Sequence, residues 1–494
     1  MSTRSADVVV IGGGIAGMST AARLQAEGLS TLVLEQHHHV GGCAGYYRTD
    51  GFAFDVGATT LVDFQPGGVG GQLLAEIGLD PPDITVQNAY DLWLPDRRVT
   101  LYHDQRTWAR ERRAKLGNTD RHRAFYAFVD RLSEAFWRIV RNGVKLPVQT
   151  PGDLARNLRA MHLRDLPLLR YLRWTMADAL RAHDVDDERA LRNLIAMLVE
   201  DTVHATVTEA PLINAVLGST IRRAGIGRAT GGMYGFWRAF EAHYEDLGGR
   251  VLTDRTVTEA TGSAGDFRVR TDNGEFRGAQ VVSALPINLT RRIAPSIVGS
   301  KLDRHVSTLE AHEGGAAVVF LGVPETEVDD HDVTHHQVLA AYDEPLGEGN
   351  NMFISVSGPD DDVSAPDRHR AVMLSTHCDV SSWENLDPEA YERRKNELRD
   401  RLVEVARTVY PDLASAPVVD ETGTPVTYEA FTKRPRGAVG GYRQTLANTN
   451  QRAVPQDVGI DGFYLAGDTT WPGLGTVACI VGSKIAAEHV LGGR

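Results

Sequence analysis

Cysteine is scarce. Cys43, Cys378 and Cys479 are the only three in 494 residues, too far apart for a thiolate metal cluster or a disulfide framework. A reducing compartment is the expected setting. Long apolar runs are missing too, and none approaches the roughly 20 residues that span a bilayer. The chain enters an apolar strand almost at once, leaving no room for a secretory leader, so a cytoplasmic location is expected. Positive charge is in deficit: 52 Lys and Arg stand against 65 Asp and Glu, a net charge of −13, which argues against nucleic acid as a partner. That deficit is uneven. Between Asp96 and His183 there are 19 basic and 9 acidic residues, so one basic region sits in an otherwise strongly acidic chain, a pattern suited to an anionic surface.

Glycine, by contrast, is placed with purpose. Asp7–Ile11 is a β-branched run that ends in Gly12-Gly13-Gly14-Ile15-Ala16-Gly17. Helical spacing follows over Met18–Gly28, then a second apolar strand, Ser30–Leu34, with Glu35 at its end and Gln36 after it. Strand, G-x-G-x-x-G turn, helix, strand and acid make a dinucleotide-binding unit. Gly12 allows the tight turn, Gly14 a close approach of pyrophosphate, and Gly17 close packing of helix on strand. The helix N-terminus offers N–H groups to the phosphates. Glu35 can accept both hydroxyls of an adenosine ribose, and no cation stands there for a 2′-phosphate. FAD and NAD both fit this text.

The C-terminus narrows the choice. Gly462–Asp468 reads as a strand ending in Gly467-Asp468, and Pro472–Gly475 as a loop. Thr476–Leu491 reads as a helix. A strand-end Asp468 can bind a ribityl and pyrophosphate portion. The N-terminus of the following helix can face the flavin N1 and C2 carbonyl, where negative charge gathers on reduction. A nicotinamide cofactor needs no such pair, so FAD is the expected cofactor.

Between these ends the text changes character several times. His37-His38-His39 reads as a solvated loop, because three adjacent residues are not expected to face one ion, and no metal is expected. Asp50-Gly51 is a hairpin signal between aromatic strands, and Gly57 closes the second of them. Asn88–Leu101 reads as two strands about Pro95-Asp96. From Gln105 to about Ser219 the spacing is helical, as at Phe125, Phe128, Leu132 and Phe136. Within it, Leu154–Leu172 mixes Arg156, Arg159, Arg164 and Arg170 with leucines, which suits an interfacial helix on anionic lipid or a solvated face over a core. Strands resume near Val251 and run to Ala284; Ala316–Val323, Met352–Val356 and Val372–His377 suggest a second sheet, and Tyr391–Tyr410 a helix.

The expected fold is α/β (α+β overall): a Rossmann-type FAD-binding domain, discontinuous in sequence, with a mixed-sheet substrate domain and a helical insertion. Residues 1–88, 226–290 and 423–494 are assigned to the first, 89–104 and 291–422 to the second, and 105–225 to the basic helical part.

With those residues in view, the chain resembles the FAD-dependent carotenoid desaturase and isomerase family of the flavin amine-oxidase superfamily. VVVIGGGIAGMSTAARLQAEG, LEQHHHVGGCAGYYRTDGFAFDVGATTL, ATGGMYGFWRAF with GGRVLTDRTVTEA, TPVTYEAFTKRPRGAVGGYRQT and DGFYLAGDTTWPGLGTVACIVGSKIAAEHV carry the likeness along the whole chain. FDVGATTLVDFQPGG and DLWLPDRRVTLYHDQRTWARER are similar to the branch of C-3′,4′ desaturases and cis–trans isomerases. The resemblance implies that Gly12, Gly14, Ile15, Ala16 and Gly17 hold pyrophosphate, with Gly41 and Gly42 nearby. It puts Glu35 and Gln36 at the ribose, Val257 at the adenine edge, and Gly57, Ala58 and Thr59 beside the ring system. Gly467 and Asp468 fall at the ribityl portion, and Gly475, Thr476 and Val477 at the isoalloxazine. It implies a hydrophobic polyene substrate that loses two hydrogens, one as hydride to the flavin N5.

For a proton acceptor the text offers Glu200 and His204, four apart and so on one helix face, and Tyr428 near Lys433 and Arg434. Each also reads as structural, and the catalytic residue stays open. A reduced-FAD isomerase or saturase and a tailoring or amine oxidase are the alternatives. A non-enzymatic lipid escort would have degraded glycine motifs, and these are whole. The oligomeric state is open.

Overall fold

The computed structural model describes residues 4–309 and 313–492. Its first sheet is built around Ser5–Ile11, in which Val8 to Ile11 are all buried. A continuous β-branched run suits a strand covered on both faces. Thr31–Leu34 and Gly274–Ser283 flank it, both parallel, so that Ile11 faces Leu34 on one side and Ser283 on the other. Phe463–Leu465 joins parallel to the end of Gly274–Ser283. Arg250–Leu252 lies outside Thr31–Leu34, and Asp266–Thr271 and Val257–Ser263 complete the sheet antiparallel. One seven-stranded sheet therefore collects three separated stretches of chain.

The helix Ile15–Ala26 packs against the helix Thr476–Gly492. Arg23 ties them, donating to Ser483 Oγ at 2.6 Å and pairing with Glu76. Close packing at the turn needs Gly17: a Cβ there would stand 1.9 Å from the Gly12 carbonyl oxygen.

The second sheet runs Val419–Gly423, Gly315–Pro324, His369–Cys378, Asn351–Val356, His335–Leu339, Asp91–Leu94, Arg97–Thr100. The helix Pro388–Ala406 covers it, burying Leu398, Leu402 and Val403 against Val319 and Leu374. His335–Leu339 escapes a sequence reading because its first three residues are polar. They are buried nonetheless, with His335 opposite Ser355. A small sheet of Leu61–Val62, Ile226–Ala229 and Ile84–Val86 also gave no period-two signal.

Helices fill the region between: Gln105–Lys115, Asp120–Arg141, Pro151–Ala160, Met176–Ala182, Arg189–Val203 and Leu212–Ser219. Leu154–Leu172 is not one helix, as its spacing suggested. The α-helix stops at Met161, which is extended, and a separate 3-10 segment spans Leu163–Tyr171. Asp165 starts that segment by accepting the His162 N–H at 2.8 Å, and Pro167 inside it has no N–H for an α-helical ladder. Among the described residues, no helix is long and apolar enough to cross a membrane.

Candidate functional site

A cavity of about 1390 Å³ runs between the two sheets and the helical region. Single-ligand pockets measure roughly 300–1,000 Å³, so this one has room for more than one molecule. At one end it is lined by Gly12, Gly14, Ile15 and Ala16, and beside them Glu35, Gln36, Gly41 and Gly42. Gly57, Ala58, Thr59 and Val257 border it further along. Gly467, Asp468, Gly475, Thr476 and Val477 close it from the C-terminal side. Gly17 does not line it and serves the helix–strand contact instead.

The local reasons are visible residue by residue. Gly12 has φ +99°, which lets the chain reverse after the strand. A Cβ on Gly14 would meet nothing nearer than Gly42 Cα at 3.9 Å, so its open face looks into the cavity. No side chain caps the helix at Gly14, leaving its first N–H groups for an anion. The Glu35 carboxylate accepts the Gly13 N–H at 2.6 Å and the His37 N–H at 2.8 Å; burial pushes its carboxyl up despite them. His37 Nδ1 is buried with no partner and lines the same wall. An orphaned polar atom, an uncapped helix start and a glycine cradle fit a dinucleotide such as FAD.

His37, His38 and His39 lie in irregular chain with His38 exposed, but the loop is more closely packed than a freely solvated one. Their rings crowd at 4.1–4.7 Å between centroids, and their ligand atoms lie within 4.8 Å of one another. His37 and His39 are half-buried, and burial, with the neighbouring rings, drives His37 down to about 4.

Arg228 and Asp55 position the site without having been singled out by the sequence. Arg228 pairs with Asp55 and donates to the Thr59 carbonyl at 3.3 Å, which holds the Gly57–Thr59 segment. Asp55 also accepts the Met233 N–H at 2.8 Å. Arg434 binds Asp468 at 2.7 Å. Tyr428, a candidate proton acceptor from sequence, donates its hydroxyl to the Val56 carbonyl at 2.6 Å; burial raises its pKa, so it stays neutral. Its role here is a strut under the cavity wall.

Glu200 and His204 both line the cavity, but they do not share a helix face. The helix ends at Val203, and His204 is its left-handed cap at φ 55°. His377, unremarked in the sequence, joins them from the strand His369–Cys378. Its Nδ1 lies 2.7 Å from Glu200 Oε1, and Asn351 Nδ2 donates to Glu200 Oε2 at 3.0 Å. A histidine near the end of a strand, after Ser375 and Thr376, was the signal available. Burial alone would raise Glu200 and lower His377; their mutual attraction outweighs it, holding the carboxyl below its usual range and lifting His377 to about 9. Burial and the adjacent His377 push His204 down to about 3.

Residues from both ends of the chain border one cavity shared with a second sheet, an arrangement that fits a flavoprotein oxidoreductase. The sequence profile described as "Flavin containing amine oxidoreductase" matches residues 15–491. The chain belongs to that family and is an FAD-dependent enzyme. It is similar to prolycopene isomerase of Daucus carota, 24% identical over 99% of this chain and 80% of the relative. It is also similar to 4,4′-diapophytoene desaturase of Staphylococcus aureus, 22% identical over 98% of each chain. The fold is shared with cyclohexylamine oxidase of Brevibacterium oxydans, with a TM-score of 0.62, 16% identity and 99% of each chain covered.

Proposed function

We propose that this enzyme desaturates carbon–carbon bonds of a carotenoid or similar hydrophobic polyene, a reaction for which the flavin, when bound, would supply the hydride acceptor. The observation that carries this is the continuity of one cavity from the glycine cradle into a region walled by Trp137, Val140, Leu217, Ile221, Met352 and Phe353. A conjugated hydrocarbon has no polar handle, so an apolar slot is the recognition it needs. Bound flavin supplies a two-electron acceptor; the chain supplies position and exclusion of water. The similarity to a prolycopene isomerase and a diapophytoene desaturase supports a polyene substrate.

The substrate reaches the slot, in this reading, from an anionic membrane surface. Of eleven exposed large apolar side chains among the described residues, six are Leu154, Leu158, Leu163, Leu166, Leu169 and Leu172. Leu163 is 86% exposed, and Arg159, Arg164, Arg170 and Arg173 are exposed among them. Each buried methylene contributes about 0.8 kcal/mol, so a forty-carbon chain would not cross water unaided.

A second reading, cis–trans isomerisation by the reduced flavoenzyme, is favoured by 24–26% identity to prolycopene isomerases over 98–99% of the chain. One experiment separates them. Flavin-loaded enzyme is incubated with polyenes in liposomes under oxidant and then under reductant, with absorbance and product mass followed. A red shift with loss of two mass units under oxidant is the expected result. A geometric isomer of unchanged mass formed only under reductant establishes the second reading, and no change with any polyene overturns both.

A further inference from the structure

The geometry points to His204 as the proton acceptor of the reaction, with Glu200 and His377 as a fixed ion pair that positions it. This rests on the desaturase reading above. Three observations converge on the assignment.

The first is placement. The dipeptide Gly440-Gly441 packs against both His204 and Asp468: a Cβ on Gly440 would stand 2.5 Å from His204 Cε1, and one on Gly441 would stand 2.8 Å from the Asp468 carbonyl oxygen. The imidazole and the C-terminal Gly467-Asp468 motif therefore both touch one dipeptide, in the wall of the cavity that both line.

The second is backbone cost. His204 is a non-glycine residue with φ 55°, a conformation few side chains adopt without strain. The surrounding structure holds it there: its N–H donates to the Glu200 carbonyl at 3.0 Å, and the N–H of the loop residue Gln444 donates to the Val203 carbonyl at 3.0 Å. Strain kept in place by its surroundings clusters at functional sites.

The third is hydrogen bonding. Glu200 has both oxygens engaged, by His377 and Asn351. The His204 ring has no hydrogen-bond partner among the described residues, and its centroid is 4.6 Å from that of His377. The charged groups about it are Glu200, His377 and Arg443; Asp201 acts on His377 and pairs with Arg222. The carboxylate is thus sealed away from a hydrocarbon, and a neutral imidazole is presented to it instead. Facing an unpaired charge to an apolar substrate would be costly. His377, protonated beside His204, keeps it neutral until a strongly acidic C–H group arrives.

The oxidised flavin, when bound, supplies the acceptor for one hydrogen nucleus with its electron pair. The second hydrogen is the chain's task. The C–H bond next to the electron-poor carbon breaks, its electron pair becomes the new C=C π bond, and the proton bonds to an imidazole nitrogen of His204. The imidazolium so formed lies beside the Glu200 carboxylate and loses its proton to solvent when product leaves.

His204→Gly tests this, because glycine accepts φ 55° at no steric cost and leaves a cavity the size of an imidazole. The expected result is flavin content and polyene KM like the wild type, with kcat lowered at least about 100-fold and partly restored by added imidazole. Alongside, flavin-loaded enzyme labelled with ¹⁵N-histidine is titrated by NMR. His377 is expected to remain an imidazolium up to pH about 9, and to lose that shift in Glu200→Gln, while His204 stays neutral down to pH 5. Wild-type turnover matched by His204→Gly, or a variant that imidazole does not rescue, overturns the acceptor role alone. A His377 that titrates near 6.5 overturns the positioning pair. No turnover of any polyene by the wild type overturns the substrate reading, and the acceptor role with it.

Discussion

Glu35 Oε2 accepts the backbone N–H of Gly13 at 2.6 Å, so the acid that ends one strand braces the turn that ends its neighbour. Its other oxygen holds the His37 N–H. The residue read from sequence as a ribose ligand is therefore also a brace for the phosphate cradle. Glu35→Gln replaces one of its two acceptor oxygens by a donor amide facing an N–H. A hydrogen bond to a charged group is worth about 1.5–3 kcal/mol, so FAD affinity should fall roughly 10- to 100-fold. Quenching of flavin fluorescence on titration measures it, and an unchanged Kd would remove the bracing role.

Two glycines of the same motif should fail in different ways. A side chain on Gly14 enters open cavity, whereas one on Gly17 collides with the Gly12 carbonyl. Gly14→Val should give a folded, colourless protein with the Tm of flavin-free wild type, because only the stabilisation by bound ligand is lost. Gly17→Val should lose at least about 1–3 kcal/mol of stability from overpacking. Calorimetry and absorbance at flavin wavelengths distinguish them; a yellow Gly14→Val protein would contradict the cradle.

Asp468 and Arg434 form a shielded pair in the cavity wall. Asp468→Ala should cost about 3 kcal/mol, toward the low end for breaking a buried pair because each partner keeps some exposure. Flavin should be lost as well. Asp468→Ala with Arg434→Met should recover much of the stability without the flavin. If the double variant melts no higher than the single one, the pair is not what stabilises that wall.

The Glu200–His377 pair makes a prediction about pH. His377 is raised from 6.5 to about 9, so its contribution to stability is complete below pH 6.5 and fades as pH rises through 9. Glu200 is lowered, so its share is present above the ordinary carboxylate pKa and is lost in acid. A double-mutant cycle of Glu200→Gln and His377→Gln should show coupling at pH 6–7 that vanishes above about pH 9. Coupling independent of pH across that range would mean His377 does not titrate within it.

The leucine surface separates docking from folding. Leu158→Asn, Leu163→Asn and Leu166→Asn together should abolish co-sedimentation with anionic liposomes and leave Tm and flavin unchanged. Arg159→Glu with Arg164→Glu should weaken docking in a salt-dependent way. Arg156→Glu should instead destabilise the fold, because Arg156 pairs with Glu488 and donates to the Gly143 carbonyl. Retained co-sedimentation by the leucine variant would rule out this surface as the membrane contact.

The sequence alone determined the first sheet's central βαβ unit and the strand–turn–helix that answers it near the C-terminus. Those features are local: Val8–Ile11, Gly12, Gly14 and Glu35 lie within one supersecondary unit, where periodicity and φ requirements act over a few residues. It also set the flavin as the ligand, since both ends of the clamp are spelled by backbone-defining residues. What only tertiary structure decided is the chemistry of the slot. His377 meets Glu200 across 177 positions of chain because a sheet strand and a helix end happen to face one cavity. His204 leaves the helix that its spacing suggested because a left-handed cap turns it toward Gly440. Helical and strand patterns report which face of an element is apolar; which polar side chains from separate elements meet is set by how those faces pack, and no local pattern carries that.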